Sequence, residues 1–354
     1  MSTVFDSKTA HQNVVSTLSF SPDGQTLLSG SWDGTAKLWE VVPGKLVRTV
    51  ADDWESVRAV AFSPDGRSLV IGGLSNSDFT SAELEQYQSY FATGDTCFFN
   101  RSPTNSGEPL PLRIYDAASG GLRLALAYGS FALAMAPDEG MVAATDGDVQ
   151  SWATATGRAL WTWKPPDTNH ISRLCYSVDG HSLAAIARER VFVLNALTGD
   201  LMREMPVSYE TDHCLDAVED AADILRFWQT SLAQFRPLDS SGDNYPHFAI
   251  AFSPNGKVAA LVDGIYTNRN AVRLWDLEQV RLIRTLLSPD RRQIRALAFA
   301  PDGALLATAG DDHRIRLWEV ETGQFVSTLG VSRAGVAKVF DRWATSNNPS
   351  RPSR

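Results

Sequence analysis

The chain has 354 residues, 44% hydrophobic and 21% charged, which is the composition of a globular protein and not of a disordered one. At this length roughly 75% of the unfolded chain's surface can be buried, so no disulfide or metal staple is required. A formal charge of −9 and a pI near 5.2 argue against a protein whose main task is to grip phosphate backbones or anionic lipid.

Met1 to Ala10 shows no basic stretch followed by an apolar run, so no signal peptide is read there. No run of 18 apolar residues occurs, so no membrane-spanning helix is expected. Cys97, Cys175 and Cys214 are odd in number and irregularly spaced, which fits a reducing compartment. The expected location is cytoplasmic.

From residue 14 onward one pattern recurs: an alternating apolar strand, a turn, then a second strand. It reads VVSTLSFSPDGQTLLSG (14–30), VRAVAFSPDGRSLVIGG (57–73), FALAMAPDEGMVAAT (131–145), SRLCYSVDGHSLAAI (172–186), FAIAFSPNGKVAALV (248–262) and IRALAFAPDGALLAT (294–308). The period of two is that of a strand. Ser-Pro-Asp-Gly is turn chemistry: Pro presets φ, Asp bonds to nearby backbone and Gly takes a positive φ. A third strand follows each segment and ends in a large apolar residue, as in TAKLWE (35–40), LRIYDA (112–117), DVQSWA (148–153), RVFVLN (190–195), AVRLWD (271–276) and RIRLWE (314–319). Segments such as GKLVRTV (44–50) and GQFVSTL (323–329) supply a fourth. Four short strands at about 40-residue spacing form one propeller blade.

The bulky residue before the turn falls at Phe20, Phe62, Met135, Tyr176, Phe252 and Phe299, at intervals of 42, 73, 41, 76 and 47. The 73 contains an insertion, and the 76 is two repeats. Within the latter, LDAVEDAADILRFWQ (215–229) echoes LATAGDDHRIRLWE (306–319), with Tyr209 standing 19 residues before Trp228 as Phe20 stands before Trp39. The reading is an all-β, seven-bladed β-propeller of four-stranded antiparallel blades over residues 1–330. The fifth blade, at about 205–236, is the weakest, and a C-terminal extension (331–354) follows.

This pattern resembles the WD-repeat (WD40) β-propeller family over roughly residues 3 to 329. Blade one carries the most specific match: His11, FSPDG (20–24), Ser29, Asp33 and Trp39. The resemblance implies that His11, Ser29, Asp33 and Trp39 form one buried hydrogen-bonded structural network; their donors and acceptors suit each other. Blade seven keeps Thr308, Asp312 and Trp318 but has Asp290 at the histidine position; blade two has Asp53, Ile71 and Tyr115.

Residues 74–111 interrupt blade two. FTSAELEQYQSYFATG predicts a helix over about 81–92, with Thr80 and Glu83 as a capping box, Gly94 as a stop, and Leu84, Tyr87 and Phe91 on one face. Cys97, Phe98 and Phe99 follow. The resemblance places this insertion and Trp32, one residue before the turn Asp, on the top face, with Trp54 on the same face. Trp32, Trp54, Tyr87, Phe91, Phe98 and Phe99 are therefore candidate partner-binding residues. In the extension, Val336, Val339, Phe340 and Trp343 recur at helical spacing before a basic tail. Asn100-Arg101-Ser102 matches a sequon and receives no role without a signal peptide.

Catalytic chemistry finds no foothold: the chain has no GxSxG, Walker loop, HExxH or Cys/His cluster. His11, His170, His181, His213, His247 and His313 are dispersed. The expectation is a non-enzymatic, monomeric interaction scaffold with no cofactor or metal. Its partner is another protein or complex, with no nucleic acid and no membrane. The alternative is a small-ligand-binding or hydrolytic propeller with a site in the central top cavity.

Overall fold

The computed structural model describes residues 9–330 apart from 76–110, 128–131, 139, 147, 167–170, 172, 178, 188–189, 207–248, 263–270, 280 and 290–291. The described residues hold strands and turns and no helix. The strands build six four-stranded sheets. The first contains β1 (Val15–Phe20), β2 (Thr26–Ser31), β3 (Ala36–Glu40) and β4 (Leu46–Ala51), and the second β5 (Trp54–Phe62), β6 (Ser68–Ser75), β7 (Pro111–Asp116) and β8 (Leu122–Ala127). β9 (Ala132–Met135), β10 (Met141–Asp146), β11 (Asp148–Ala153) and β12 (Ala159–Trp163) make the third. β13 (Arg173–Tyr176), β14 (Ser182–Ile186), β15 (Arg190–Asn195) and β16 (Leu201–Pro206) make the fourth. The next holds β17 (Ile250–Phe252), β18 (Val258–Val262), β19 (Ala271–Asp276) and β20 (Arg281–Leu287). The last holds β21 (Ile294–Phe299), β22 (Leu305–Gly310), β23 (Ile315–Glu319) and β24 (Phe325–Thr328).

Every sheet is an antiparallel meander of consecutive strands, and this architecture is consistent with a β-propeller. In four of the six sheets the turn between first and second strands is built the same way. Ser21 Oγ donates to Asp23 Oδ1 at 2.6 Å, the same carboxylate oxygen accepts from Gln25 N at 3.0 Å, and Gly24 sits at φ 70°. Ser63 with Asp65, Ser177 with Asp179 and Ser253 with Asn255 repeat the contact at 2.6, 2.6 and 2.7 Å. The turn proline covers the turn glycine of the next sheet, Pro301 over Gly24 and Pro22 over Gly66. The local turn signal thus also sets the spacing of neighbouring sheets.

The inner strands abut in the order β17, β21, β1, β5, β9, β13. The last sheet meets the first through a shared core that includes Val15, Leu18, Trp39, Ala298, Leu317 and Leu329. Backbone bonds run from Ala10 N and His11 N to His313 O (3.0 and 3.2 Å) and from Gly330 N to Gly44 O (2.9 Å). β24 is the outer strand of the last sheet, so that sheet comes from one continuous stretch of chain. The large residues ending the third strands, Trp39, Tyr115, Trp152, Leu194, Trp275 and Trp318, are all buried, which explains their recurrence.

The expected fifth blade, the helix at 81–92 and the C-terminal extension lie wholly or almost wholly outside the described residues. β6 ends at Ser75 and β7 begins at Pro111, and residues 76–110 between them lie outside the described residues.

Candidate functional site

β2, β3 and the turn between them position the blade-one residues. Ser29 projects from β2 and Trp39 from β3, and the pairing of Leu27 with Trp39 sets them two residues apart in register. Trp39 Nε1 donates to Ser29 Oγ at 2.8 Å, and His11 Nε2 lies 2.7 Å from the same oxygen. His11 Nδ1 lies 3.0 Å from Asp33 Oδ2. Asp33 also accepts from Gln12 N at 2.8 Å and from Thr35 N and Oγ1 at 2.9 and 2.6 Å. Thr35 is a member that sequence reading missed; its signal is the Asp-Gly-Thr spacing of a side chain bonding two residues on.

Burial of the His11 imidazole is the largest influence on its pKa and pulls it below 6.5, against the pull of Asp33. Burial opposes the Asp33 charge, yet bonds from His11, Thr35 and Gln12 outweigh it and hold the carboxyl well below its ordinary range. The state that fits is a neutral imidazole donating from Nδ1 to an ionised Asp33, with Nε2 accepting from the Ser29 hydroxyl. Ser29–His11–Asp33 has the connectivity of a nucleophilic triad. However, Ser29 is 0% and His11 1% exposed, and Ser29 Oγ already accepts the indole N–H. No substrate reaches that hydroxyl.

Other sheets keep only part of the set. Trp318 Nε1 donates to Thr308 Oγ1 at 3.0 Å, and Asp312 is paired with Arg316. The expected histidine counterpart, Asp290, is outside the described residues. In the β17–β20 sheet, Leu261 takes the hydroxyl's place and the buried Trp275 Nε1 finds no acceptor among the described residues.

Trp32 is half-buried, and its backbone N–H donates to Val14 O at 2.9 Å. Two guanidiniums lie over its indole, that of Arg58 of β5 at 4.8 Å and that of Arg295 of β21 at 5.0 Å from the ring centroid. Arg58 Nε donates to Ser56 Oγ at 2.9 Å, and Arg295 is paired with Asp311. Both arginines stand four residues before the phenylalanine closing their strand, in VRAVAF and IRALAF. That shared offset was the overlooked signal.

Trp54 corrects the expectation of a second exposed anchor. It is 3% exposed, in a core with Leu28, Leu38, Ile71 and Tyr115. The reason is that β5 starts at Trp54 itself, so the residue belongs to the strand and not to a connecting loop. Arg113 lies 4.8 Å from its ring centroid and donates from Nη1 to both oxygens of Asp53 at 2.7 and 2.6 Å. Tyr87, Phe91, Phe98 and Phe99 lie outside the described residues. Among the described residues no three His, Cys, Asp or Glu side chains gather as metal ligands, and no helix is long and apolar enough to cross a membrane.

Comparison with known proteins places this geometry. The family described as WD domain, G-beta repeat matches residues 3–40, 44–80 and 281–319. An uncharacterised WD repeat-containing protein of Synechocystis is 40% identical over 65 residues, covering 18% of this chain and 19% of the relative. Eukaryotic translation initiation factor 3 subunit I of Phaeosphaeria nodorum is 43% identical over 63 residues, 17% of this chain and 18% of the relative. Telomerase protein component 1 of Rattus norvegicus is 24% identical over 342 residues, 89% of this chain and 11% of the relative. The chain thus spans only 11 to 19% of the length of these relatives.

Proposed function

We propose that this WD40-repeat protein is a non-enzymatic interaction scaffold, a seven-bladed propeller that offers the face carrying Trp32 to a partner protein in the cytoplasm. The observation that carries the reading is the contrast within one turn. His11, Ser29 and Asp33 are consumed by hydrogen bonds and burial, while Trp32 beside them is half-buried on a backbone they fix. A rigid, partly exposed indole is an interface anchor; a buried triad is scaffold.

Seven blades is supported by the run of abutting inner strands from β17 through β1 to β13. Residues 207–248 stand in sequence between its two ends and are numerous enough for a four-stranded unit. Two relatives carry the words "component" and "subunit" in their names, which fits a domain that works inside larger assemblies. Closed radial packing leaves the loops free to vary, so binding needs nothing from the core.

The test is affinity capture with the full chain and with residues 76–109 deleted. The reading expects a protein partner with the full chain, and reduced recovery with the deletion. A turnover assay that converts small molecules at a rate abolished by a conservative top-face substitution would replace it with an enzymatic one.

A further inference from the structure

We propose that residues 336–343 of the C-terminal extension fold back as an amphipathic helix onto β4, the outer strand of the first sheet, and latch the seam between the last sheet and the first. The latch goes beyond the scaffold reading and does not depend on the Trp32 face.

The seam sets the need. β1–β4 and β21–β24 are each drawn from one continuous stretch of chain, so neither sheet lends a strand to the other. They are held together by a shared core, with main-chain bonds at Ala10, His11 and Gly330. The chain then leaves the last sheet on the first. Leu329 is fully buried in the core it shares with Trp39 and Val41. Gly330 takes φ 78°, which turns the backbone out of the line of β24. Its N–H donates to Gly44 O at 2.9 Å, and a Cβ on Gly330 would lie 3.3 Å from the Trp39 ring. Residue 331 therefore starts beside the turn that opens β4.

That strand is an outer edge. Leu46 is 38% and Val47 41% exposed, and Lys45 and Thr49 are exposed beside them. An apolar edge strand left open is a template for unwanted pairing. Val336, Val339, Phe340 and Trp343 fall at i, i+3, i+4 and i+7, the stripe of a helix that buries one face. Residues 331–335 span at most about 18 Å, and β4 runs for about 20 Å from the same point. Leu122 on β8 and Leu287 on β20 are exposed too, but the exit of the chain at Gly44 singles out β4. A short tether holds the segment at high effective concentration, so a small apolar contact is enough to seat it.

The test is hydrogen–deuterium exchange on the full chain, read by peptide mass spectrometry at residues 44–51 and 333–343. Phe340→Ser should speed exchange in 44–51 several-fold, while 122–127 on β8 keeps the wild-type rate. Leu46→Ser combined with Val47→Ser, at exposed positions, should speed exchange in 333–343 by about tenfold or more. That pair decides the matter if Phe340→Ser fails to fold in a thermal melt. Light scattering should give a monomer. The proposal is overturned if 333–343 exchanges at the unprotected rate in the wild type, or if a folded variant leaves the opposite peptide unchanged. An effect of Phe340→Ser on another outer strand in place of β4 also overturns it. So does protection that fades on dilution together with a dimer, which would seat the segment on a second copy.

Discussion

Ser29 shows how one hydroxyl can serve three neighbours. It accepts from Trp39, bonds His11, and through His11 reaches Asp33. Ser29→Ala leaves the buried Trp39 and His11 nitrogens unpaired, and should cost about 1–3 kcal/mol in urea titrations. Trp39→Ala should cost about 3–5 kcal/mol as a buried aromatic truncation. Acidification acts on the same residues. His11 titrates at 6.5 when unfolded and lower when folded. The unfolded chain therefore binds the proton first, and the stability contributed is full above that pH and lost below it. Asp33 has its folded value depressed below 3.8, so its contribution is full above 3.8 and fades as pH falls through the acid range. Between pH 7.5 and 5.5 the His11 share of the stability should therefore fall. His11→Gln should remove that share, seen as a smaller stability difference between the two pH values than in wild type. An unchanged difference would mean that His11 is not held neutral.

At the scale of elements, the outer strands do the joining. Arg48 Nη2 of β4 donates to Ala118 O at 2.6 Å, Trp161 Nε1 of β12 to Ala196 O at 2.9 Å, and Arg284 of β20 to Thr322 O and Glu321 O at 2.6 and 2.8 Å. Each reaches the third-to-fourth-strand turn of the following sheet. Gly199 shows the tightness: its φ is 76°, and a Cβ there would meet the Trp161 ring at 2.6 Å. Gly199→Ala should therefore destabilise by more than about 1 kcal/mol, measured by thermal melt, from backbone strain and contact together. The strands themselves were legible because alternation and Ser-Pro-Asp-Gly are local signals. TAKLWE, for example, differs from β3 by a single residue at its start. The Arg–Trp stacks were not legible, because Trp32 and Arg295 are distant in sequence and meet only when the last sheet closes on the first. Trp54 was misplaced for a different reason: its position hung on a strand boundary, where sequence patterns are weakest.

At the scale of the molecule, the repeats make a rigid frame and the departures from the repeat carry the identity of the protein. Blade one keeps the full network, and the turn it holds presents the indole. The β17–β20 sheet lost its hydroxyl at Leu261 and still folds around Trp275, so a complete network is not a condition of the fold. Its retention in blade one coincides with the proposed binding turn. The measurement that tests this most directly is a paired one on Trp32→Ala: dissociation constant for the captured partner, and melting temperature, against wild type. The account predicts binding weakened by about 1–2 kcal/mol, roughly five- to thirtyfold, with the melting temperature nearly unchanged. Wild-type affinity in a variant with a wild-type melt would contradict it, and so would a large drop in melting temperature, which would make Trp32 a packing residue.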